Sequence, residues 1–427
     1  MSAAILFGML FVLMLVGMPI GVALGLTVIT YMAFWTPVPL ESVALKMFTG
    51  IEKFELLAIP FFILAGTFLT SGGVARRMIR FANSMVGHVT GGLGMTAVLA
   101  CALFAAVSGS SPATVLAIGS ILIPAMLKQG YSRRFAIGTV ASAGGLGILI
   151  PPSIVMVMYA VTTNTSIGAL FMAGVLPGLV LVLMLGAITY WQARKHGFAR
   201  EAKVSWRERW QALREAFWGL LLIVIVMGGI YAGIFTATEA AAMSAVYAAV
   251  IALFVYRDMT WRDVPRVLVD SANMSSMLFF IIASASLFSF ILTSEQIPQM
   301  LAQAIIDLGL GPVGFLLVVN VLLLLAGNLM EPSSIILILA PILFPVAVAL
   351  GIDPIHFGVI MTVNMEIGMI TPPVGLNLFV ASGITGAGLG ETSRAVIPWL
   401  LTMLVFLVLV TYWPTLSLAL PQALGMM

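Results

Sequence analysis

Long apolar runs separated by short polar segments form the dominant pattern along the chain. Runs such as 217–235, 240–256 and 396–412 approach the roughly 20 residues that a helix needs to cross about 30 Å of hydrocarbon. Similar runs recur in both halves of the 427 residues. The pattern therefore predicts an all-α polytopic membrane protein.

Two of these runs are interrupted by a glycine-rich stretch that ends in a double proline. The interruptions cover 144–152 and 367–373, they lie 221 positions apart, and the same offset relates Pro177 to Pro398. This spacing indicates an internal repeat. A helix that breaks inside a membrane leaves backbone groups unpaired, which is tolerated only against protein or a water-filled site. Two such breaks at matching positions predict the binding site of a transporter.

The order of segments is the same in the two halves of the chain. Each half is predicted to have about five crossings, one re-entrant hairpin and one broken helix, and an odd number of crossings inverts the second half relative to the first. The predicted units are a first repeat at 1–192 with hairpin 92–127 and broken helix 135–163, an amphipathic cytoplasmic linker at 193–216, and a second repeat at 217–427 with hairpin 313–350 and broken helix 357–383.

The basic residues support this inverted topology. When the 193–216 linker is placed inside, 17 of the 19 Lys and Arg residues fall on the inner side, as the positive-inside rule expects. Lys46 and Lys53 are the two that fall outside. The same assignment places both termini on the periplasmic side.

Composition excludes several classes of protein. With 61% hydrophobic and 8% charged residues, the chain is too apolar for a soluble protein. The single Cys101 excludes an intrachain disulfide, and the three histidines are scattered. No Ser-His, paired-aspartate or zinc arrangement accompanies the breaks, and nothing favours nucleic acid as a partner.

The predicted hairpin tips are polar. The first tip covers 108–114 and the second 327–334. Ser111 before Pro112 is predicted to be the N-cap of the second arm, and Glu331-Pro332 to start the equivalent arm. Backbone amides at these helix starts suit an anion, whereas carbonyl oxygens freed at the breaks, together with hydroxyl groups, suit an alkali cation. We expect two cation sites with an anionic substrate between them.

Four further polar residues lie at membrane depth. Glu331 is a candidate ligand or a helix cap, and Glu366 is a candidate cation ligand, proton carrier or paired carboxylate, with Gly145 at its position in the first half. Asn364 and Asn377 flank the second break and are candidate donors to the substrate. The sequence does not separate these alternatives.

At these residues the chain resembles the large membrane subunit of tripartite ATP-independent periplasmic (TRAP) transporters. The motifs that match are 108–114, 144–153, 328–334 and 368–377, and the resemblance covers essentially the whole chain. It implies an elevator-type fold of the ion-transporter superfamily in a bacterial or archaeal inner membrane. It also implies coupling to sodium ions, a small four-helix membrane subunit as partner, and import of an organic acid delivered by a periplasmic substrate-binding protein. The organic acids that the family suggests are dicarboxylates, sialic acid and sugar acids.

The resemblance also implies roles for individual residues. Those of the first sodium site are Ser108, Ser110, Ser111, Gly144, Gly147 and Pro151. Those of the second sodium site are Asn328, Met330, Glu331, Gly368, Thr371 and Pro372. The substrate contacts, to which the two asparagines are added, are Ser111, Thr114, Pro152, Ser333, Ser334, Asn364, Pro373 and Asn377.

Three other functions remain to be weighed against this one. The first is a stand-alone sodium symporter of the same superfamily that needs no binding protein. The second is an intramembrane enzyme that uses Glu331 and Glu366 as an acid pair, and the third is a channel with a fixed pore. The sequence leaves open which organic acid is carried, how many sodium ions accompany it and the oligomeric state.

Overall fold

The computed structural model of the chain describes residues 2–198, 200–307, 309 and 311–426. Within these residues the regular structure is helical, without strands, as the apolar pattern predicts. The helices of the first half are α1 (Ser2–Leu15), α2 (Ile20–Trp35), α3 (Glu41–Ile51), α4 (Ala58–Ser71), α5 (Val74–Val86), α6 (Gly92–Ser108), α7 (Ser111–Lys128), α8 (Arg133–Ala143), α9 (Leu146–Leu149), α10 (Ile154–Thr163) and α11 (Ile167–Lys195).

The second half continues with ten helices in the described residues. They are α12 (Trp206–Tyr231), α13 (Ala237–Val250), α14 (Val264–Ser294), α15 (Ile297–Asp307), α16 (Pro312–Gly327), α17 (Pro332–Ala349), α18 (Pro354–Gly368), α19 (Leu376–Thr385), α20 (Leu389–Tyr412) and α21 (Thr415–Ala423). A 3₁₀ turn at Phe54–Leu57 leads into α4, and a π-helical turn at Ile251–Val255 extends α13.

Nine helical segments of the described chain are long and apolar enough to cross a membrane. They include the two long second arms of the hairpins, α7 and α17, while α1, α2 and the first arms α6 and α16 are shorter apolar helices. The protein is therefore a multi-pass membrane protein, and the all-α prediction is confirmed.

The hairpins and breaks fall where the sequence pattern indicates. The first hairpin is α6 and α7 and the second is α16 and α17, whereas the broken helices are α8 to α10 and α18 to α19. Both double prolines, 151–152 and 372–373, contain a cis peptide bond. In each half a hairpin is thus followed by a helix that is broken at a double proline.

Several boundaries differ from the predicted ones. Helix α3 occupies 41–51, where no helix is predicted, because an amphipathic segment of 11 residues between two apolar runs is a weak signal. Helix α11 continues to Lys195, and α12 begins at Trp206 with a capping box in which Ser205 and Glu208 satisfy each other's backbone amides. The residues of the predicted 193–216 linker are consequently divided between two long helices and a short connection.

Burial separates the central elements from the outer ones. In the most apolar 18 residues of the segment Arg133–Thr163, which contains α8 to α10, 89% of the residues are buried. In the corresponding stretch of α12, 33% are buried. Helix α8 packs against α20, and α18 packs against α16 and α17. The broken helices therefore lie at the centre of the protein, in contact with both hairpins.

Candidate functional site

The first hairpin tip is a compact turn held by its own hydroxyl groups. Gly109 takes a left-handed conformation (φ +62°) between the two arms. Ser108 Oγ and Thr114 Oγ1 lie 2.8 Å apart, and Thr114 Oγ1 donates to the carbonyl oxygen of Ser110 at 2.8 Å. Ser108, Ser111 and Thr114 are all buried. The tip therefore presents fixed oxygen atoms instead of a flexible loop.

The N-cap of the second arm differs from the prediction. Helix α7 begins at Ser111 itself, and Ser110, with extended backbone, occupies the N-cap position without a side-chain cap bond. The prediction of Ser111 as N-cap is therefore wrong by one residue. The physical reason is that the Ser111 hydroxyl group is bonded to another element, as described below.

The first break lies directly against the first tip, backbone to backbone. A methyl group added at Gly147 would lie 2.6 Å from the carbonyl oxygen of Ser110, and one added at Gly109 would lie 2.8 Å from the carbonyl oxygen of Pro152. At Gly144, the added methyl group would lie 2.1 Å from the Val115 side chain. These glycines are required because no side chain fits between the tip and the break. Beyond Pro151 and Pro152, the Ser153 hydroxyl group donates to Ile148 O at 2.6 Å and starts α10.

The second tip and break repeat this contact. A methyl group at Gly368 would lie 2.8 Å from the Cα atom of Gly327, and the Val374 amide donates to the carbonyl oxygen of Asn328 at 3.1 Å. Gly368 and Gly147 are 221 positions apart, so a glycine at the matching position lies at the backbone contact between tip and break in both halves. Gly327 and Gly109 are absent from the predicted ligand sets, although a glycine at the end of a hairpin's first arm is a signal of such close packing.

The remaining residues of the second site lie around this contact. Ser334 Oγ donates to Glu331 Oε1 at 2.8 Å, and Glu331 occupies the N-cap position of α17. Thr371 Oγ1 donates to Ile367 O at 2.7 Å. Ser333 is buried and Met330 half-buried, whereas Pro372 and Pro373 are exposed. The structure thus brings the second tip at Gly327 and Asn328 against the second break at Gly368 and Val374.

Asn377 connects the two halves. Its side-chain nitrogen donates to Ser111 Oγ at 2.7 Å and to Ala141 O at 3.0 Å, and Ser111 Oγ lies 3.0 Å from Asn377 Oδ1. Both side chains are fully buried. A residue of the second break therefore binds the start of the first hairpin's second arm.

Asn364 belongs to a different network. Its side-chain nitrogen donates to Asn320 Oδ1 at 2.8 Å and to Ile360 O at 2.9 Å, and Asn320 in turn donates to Thr411 Oγ1 at 2.9 Å. This ladder joins α18, α16 and α20. The structure does not bring the Asn364 side-chain nitrogen to the other candidate substrate residues.

Glu366 contacts the residue that occupies its own position in the other half. A methyl group at Gly145 would lie 2.7 Å from Glu366 Cγ, 2.9 Å from Glu366 Oε1 and 3.1 Å from Ser142 O. Glu366 is fully buried, and neither of its carboxylate oxygens has a hydrogen-bond partner among the residues described. Positions 145 and 366 are related by the offset of 221 and lie against each other, so the two halves meet here. The space between them is filled by the Glu366 side chain.

The oxygen atoms that could coordinate an ion at the two contacts suit an alkali cation. They are backbone carbonyl oxygens, with hydroxyl and amide oxygens nearby, and Asn328 Oδ1 is buried without a hydrogen-bond partner in the described part of the chain. Hard oxygen atoms of this kind match the preference of small monovalent and divalent cations, whereas transition metals favour imidazole or thiolate ligands. The residues present therefore fit a sodium ion.

Comparison with known proteins gives a consistent assignment. Residues 7–416 match the model of the family described as the tripartite ATP-independent periplasmic transporter, DctM component. The chain is 64% identical to the C4-dicarboxylate TRAP transporter large permease protein DctM of Rhodobacter capsulatus, with all of both chains covered. It is 59% identical to the protein of the same name from Pseudomonas aeruginosa, with 95% of each chain covered.

A solved structure supports the fold alone. The YdaH transporter of Alcanivorax borkumensis superimposes with a TM-score of 0.63 over 89% of this chain and 90% of that chain, at 19% sequence identity.

A family model that matches nearly the whole chain, together with relatives that are 64% and 59% identical, shows that the chain belongs to the DctM component family of TRAP transporters, as a large permease subunit and not an enzyme.

Proposed function

We propose that this subunit imports a C4-dicarboxylate across a bacterial inner membrane together with sodium ions. The two relatives described above are named for C4-dicarboxylates, which makes that class the first choice among organic acids. The observation that carries the proposal is the paired contact of each hairpin tip with its own break, marked by Gly147 and Gly368. This arrangement supplies two sets of fixed oxygen atoms in the interior of a membrane protein.

Each contact would hold one sodium ion. At the first, the tip contributes the oxygens of Ser108 and Ser110 and the break contributes the carbonyl oxygens around Gly147 and Pro152. At the second, Asn328 and Thr371 take the corresponding places. Carbonyl oxygens carry a partial negative charge and can bind a cation without a charged side chain in the membrane.

The substrate would lie between the two tips. Helices α7 and α17 both begin at a tip, so their first-turn amides and the positive ends of their dipoles favour a carboxylate. Ser111, Thr114, Ser333 and Ser334 lie in these first turns. Because Thr114 and Ser334 already donate to Ser110 O and Glu331 Oε1, the backbone amides would be the main donors to the substrate. Two helix starts are the simplest match for the two carboxylates of a C4-dicarboxylate. Sodium binding next to them would offset the negative charge of the substrate.

Transport would follow an elevator mechanism in which the hairpins and broken helices move against the outer helices. The two halves would be inverted repeats with both termini in the periplasm, as the distribution of basic residues favours. A small membrane subunit would widen the outer scaffold, and a periplasmic binding protein would deliver the dicarboxylate. Both partners follow from the tripartite organisation of the family.

The decisive experiment uses proteoliposomes that contain this subunit with its small membrane partner and the loaded binding protein. We expect accumulation of radiolabelled succinate under an inward sodium gradient and none under an equal potassium gradient. Absence of accumulation with both partners present would refute the proposal. Accumulation that persists without the binding protein would identify a stand-alone symporter, and conductance without saturation would identify a channel.

A further inference from the structure

A cavity of about 350 Å³ lies between α3 and α14 on one side and α10 and α17 on the other, outside the contacts of the tips with the breaks. Its volume is at the lower end of the range of small-molecule sites. Gly50 allows the close approach of α3 to α14, because a methyl group there would lie 2.5 Å from Ser286 Cβ. The lining includes hydroxyl groups from each of α3, α10 and α14, which are Thr49, Thr162, Ser286, Ser289 and Thr293.

The positive charge of this cavity comes from Lys46 and Lys53. The Lys46 ammonium group lies 4.5 Å from the centre of the Phe290 ring. The Lys53 ammonium group donates to Val161 O at 2.7 Å and to Asn164 Oδ1 at 2.9 Å, at the carboxyl end of α10. Neither lysine makes an ion pair with a carboxylate among the described residues, and the cavity lining includes no Asp or Glu. The cavity lining therefore carries two positive charges and no carboxylate, and the Lys53 ammonium group is held at the carboxyl end of α10.

The cavity lies along the helix that leads to the second tip. Its α17 lining residues are Leu337 and Pro341, which follow Ser334 by three and seven residues. At about 1.5 Å per residue, this spacing places the cavity about one to two helical turns from the first turn of α17. An ion in the cavity is therefore displaced from the candidate substrate site by a short distance along one helix.

This cavity contains both of the basic residues that the predicted topology places on the outer side. They are Lys46 and Lys53. A polar, carboxylate-free cleft with two ammonium groups attracts anions and raises their local concentration. We propose that this cavity is an entry site that binds the C4-dicarboxylate before it reaches the tips. The proposal rests on the proposed function for the identity of the anion.

The first test measures the electrostatic character of the cavity without transport. Thr293 is exposed at the cavity, and the one native cysteine, Cys101, is buried, so Thr293→Cys provides a single reactive thiol. We expect the ratio of the labelling rates of an anionic and a cationic membrane-impermeant thiosulfonate to be about 3- to 10-fold higher at Thr293→Cys than at a control thiol, because two nearby positive charges attract the anionic reagent. In the Lys46→Gln, Lys53→Gln background this ratio should fall to that of a control thiol.

The control thiol is Gly311→Cys, at an exposed position with open space around it and on the same predicted side. Succinate at millimolar concentration should slow labelling of Thr293→Cys but not of Gly311→Cys. Equal anion preference at the two positions, a ratio unchanged by loss of the lysines, or no protection by succinate would each overturn the entry site.

The second test uses the proteoliposome complex. Lys46→Gln, Lys53→Gln should raise KM for succinate delivered by the binding protein about 3- to 10-fold and leave kcat within about twofold, because the site concentrates the anion before the transport step. Lys128→Gln, on the opposite predicted side, should change neither constant. An unchanged KM would overturn the entry site, whereas absence of uptake by the unmodified complex would refute the proposed function and leave the labelling result intact.

Discussion

The two breaks have the same backbone plan but differ in how far they are enclosed. Pro151, Pro152 and Ser153 are buried among α7 to α11, whereas Pro372 and Pro373 are exposed and Val374 is half-buried. In both halves an equivalent glycine touches a hairpin tip. The contact between tip and break is therefore similar in the two halves, whereas the packing around each break decides which one is exposed. In this conformation the second break is the more accessible of the two.

A second contrast concerns Glu366 and Gly145. The two positions are equivalent in the repeat, yet they lie against each other instead of in separate sites. Exact symmetry would place two identical side chains in one small space. The chain avoids this clash by having glycine at one position, so the asymmetry is a steric requirement of the contact between the halves.

The largest effect on uptake is expected from substitutions that disrupt the contact between a hairpin tip and its break. Gly147→Ala and Gly368→Ala place a methyl group 2.6 Å and 2.8 Å from backbone atoms that cannot rotate away, and we expect sodium-driven uptake to fall about 100-fold or more in each, as for displaced active groups. Gly383→Ala, in α19 with nothing within 4 Å, is the matched control. A large loss in one half alone would show that the two contacts are not functionally equivalent.

The next effect concerns the link between the halves. Asn377→Ala removes the buried donor to Ser111 and leaves a buried hydroxyl group without that partner, which costs about 1–3 kcal/mol. We expect uptake to fall roughly 10- to 100-fold and the midpoint of thermal unfolding to decrease. Asn273→Ala, at an exposed position, should change neither quantity. Normal uptake by Asn377→Ala would show that this link does not organise the site.

The steric account of Glu366 is tested by a double-mutant cycle. Gly145→Ala should destabilise the protein by about 1–3 kcal/mol through overpacking against Glu366 Cγ. In the Glu366→Ala background the same change should cost at least about 1 kcal/mol less, measured by thermal unfolding in detergent. Additive effects of the two substitutions would contradict the direct contact as the cause.

The smallest expected effect concerns the difference in solvent exposure between the two breaks. Ser153 and Val374 are 221 positions apart and are respectively buried and half-buried. We expect Val374→Cys to react with a small thiol reagent at least several-fold faster than Ser153→Cys. Sodium should slow the reaction at Val374→Cys by about two- to threefold, since a ligand that occupies most of its sites protects in proportion to occupancy. Equal reactivity at the two positions would contradict the difference in enclosure.

Much of this arrangement is readable from the sequence. Proline and glycine restrict the backbone wherever they occur, so the two breaks and the starts of the hairpins' second arms are local properties. The apolar runs likewise indicate membrane helices by length alone. Helix α3 and the start of α12 at Trp206 were harder to predict, since amphipathic and capping signals in short segments are weak.

The amino-acid sequence is enough to predict the helical membrane architecture, the repeat with its offset of 221 and the candidate polar residues. Which of these residues meet depends on how the helices pack. This packing joins Asn377 to Ser111 across the halves, turns Asn364 towards Asn320, and places Glu366 against Gly145. The physical reason is that a break is specified by local backbone chemistry, whereas a contact between residues more than 200 positions apart depends on the packing of every helix between them.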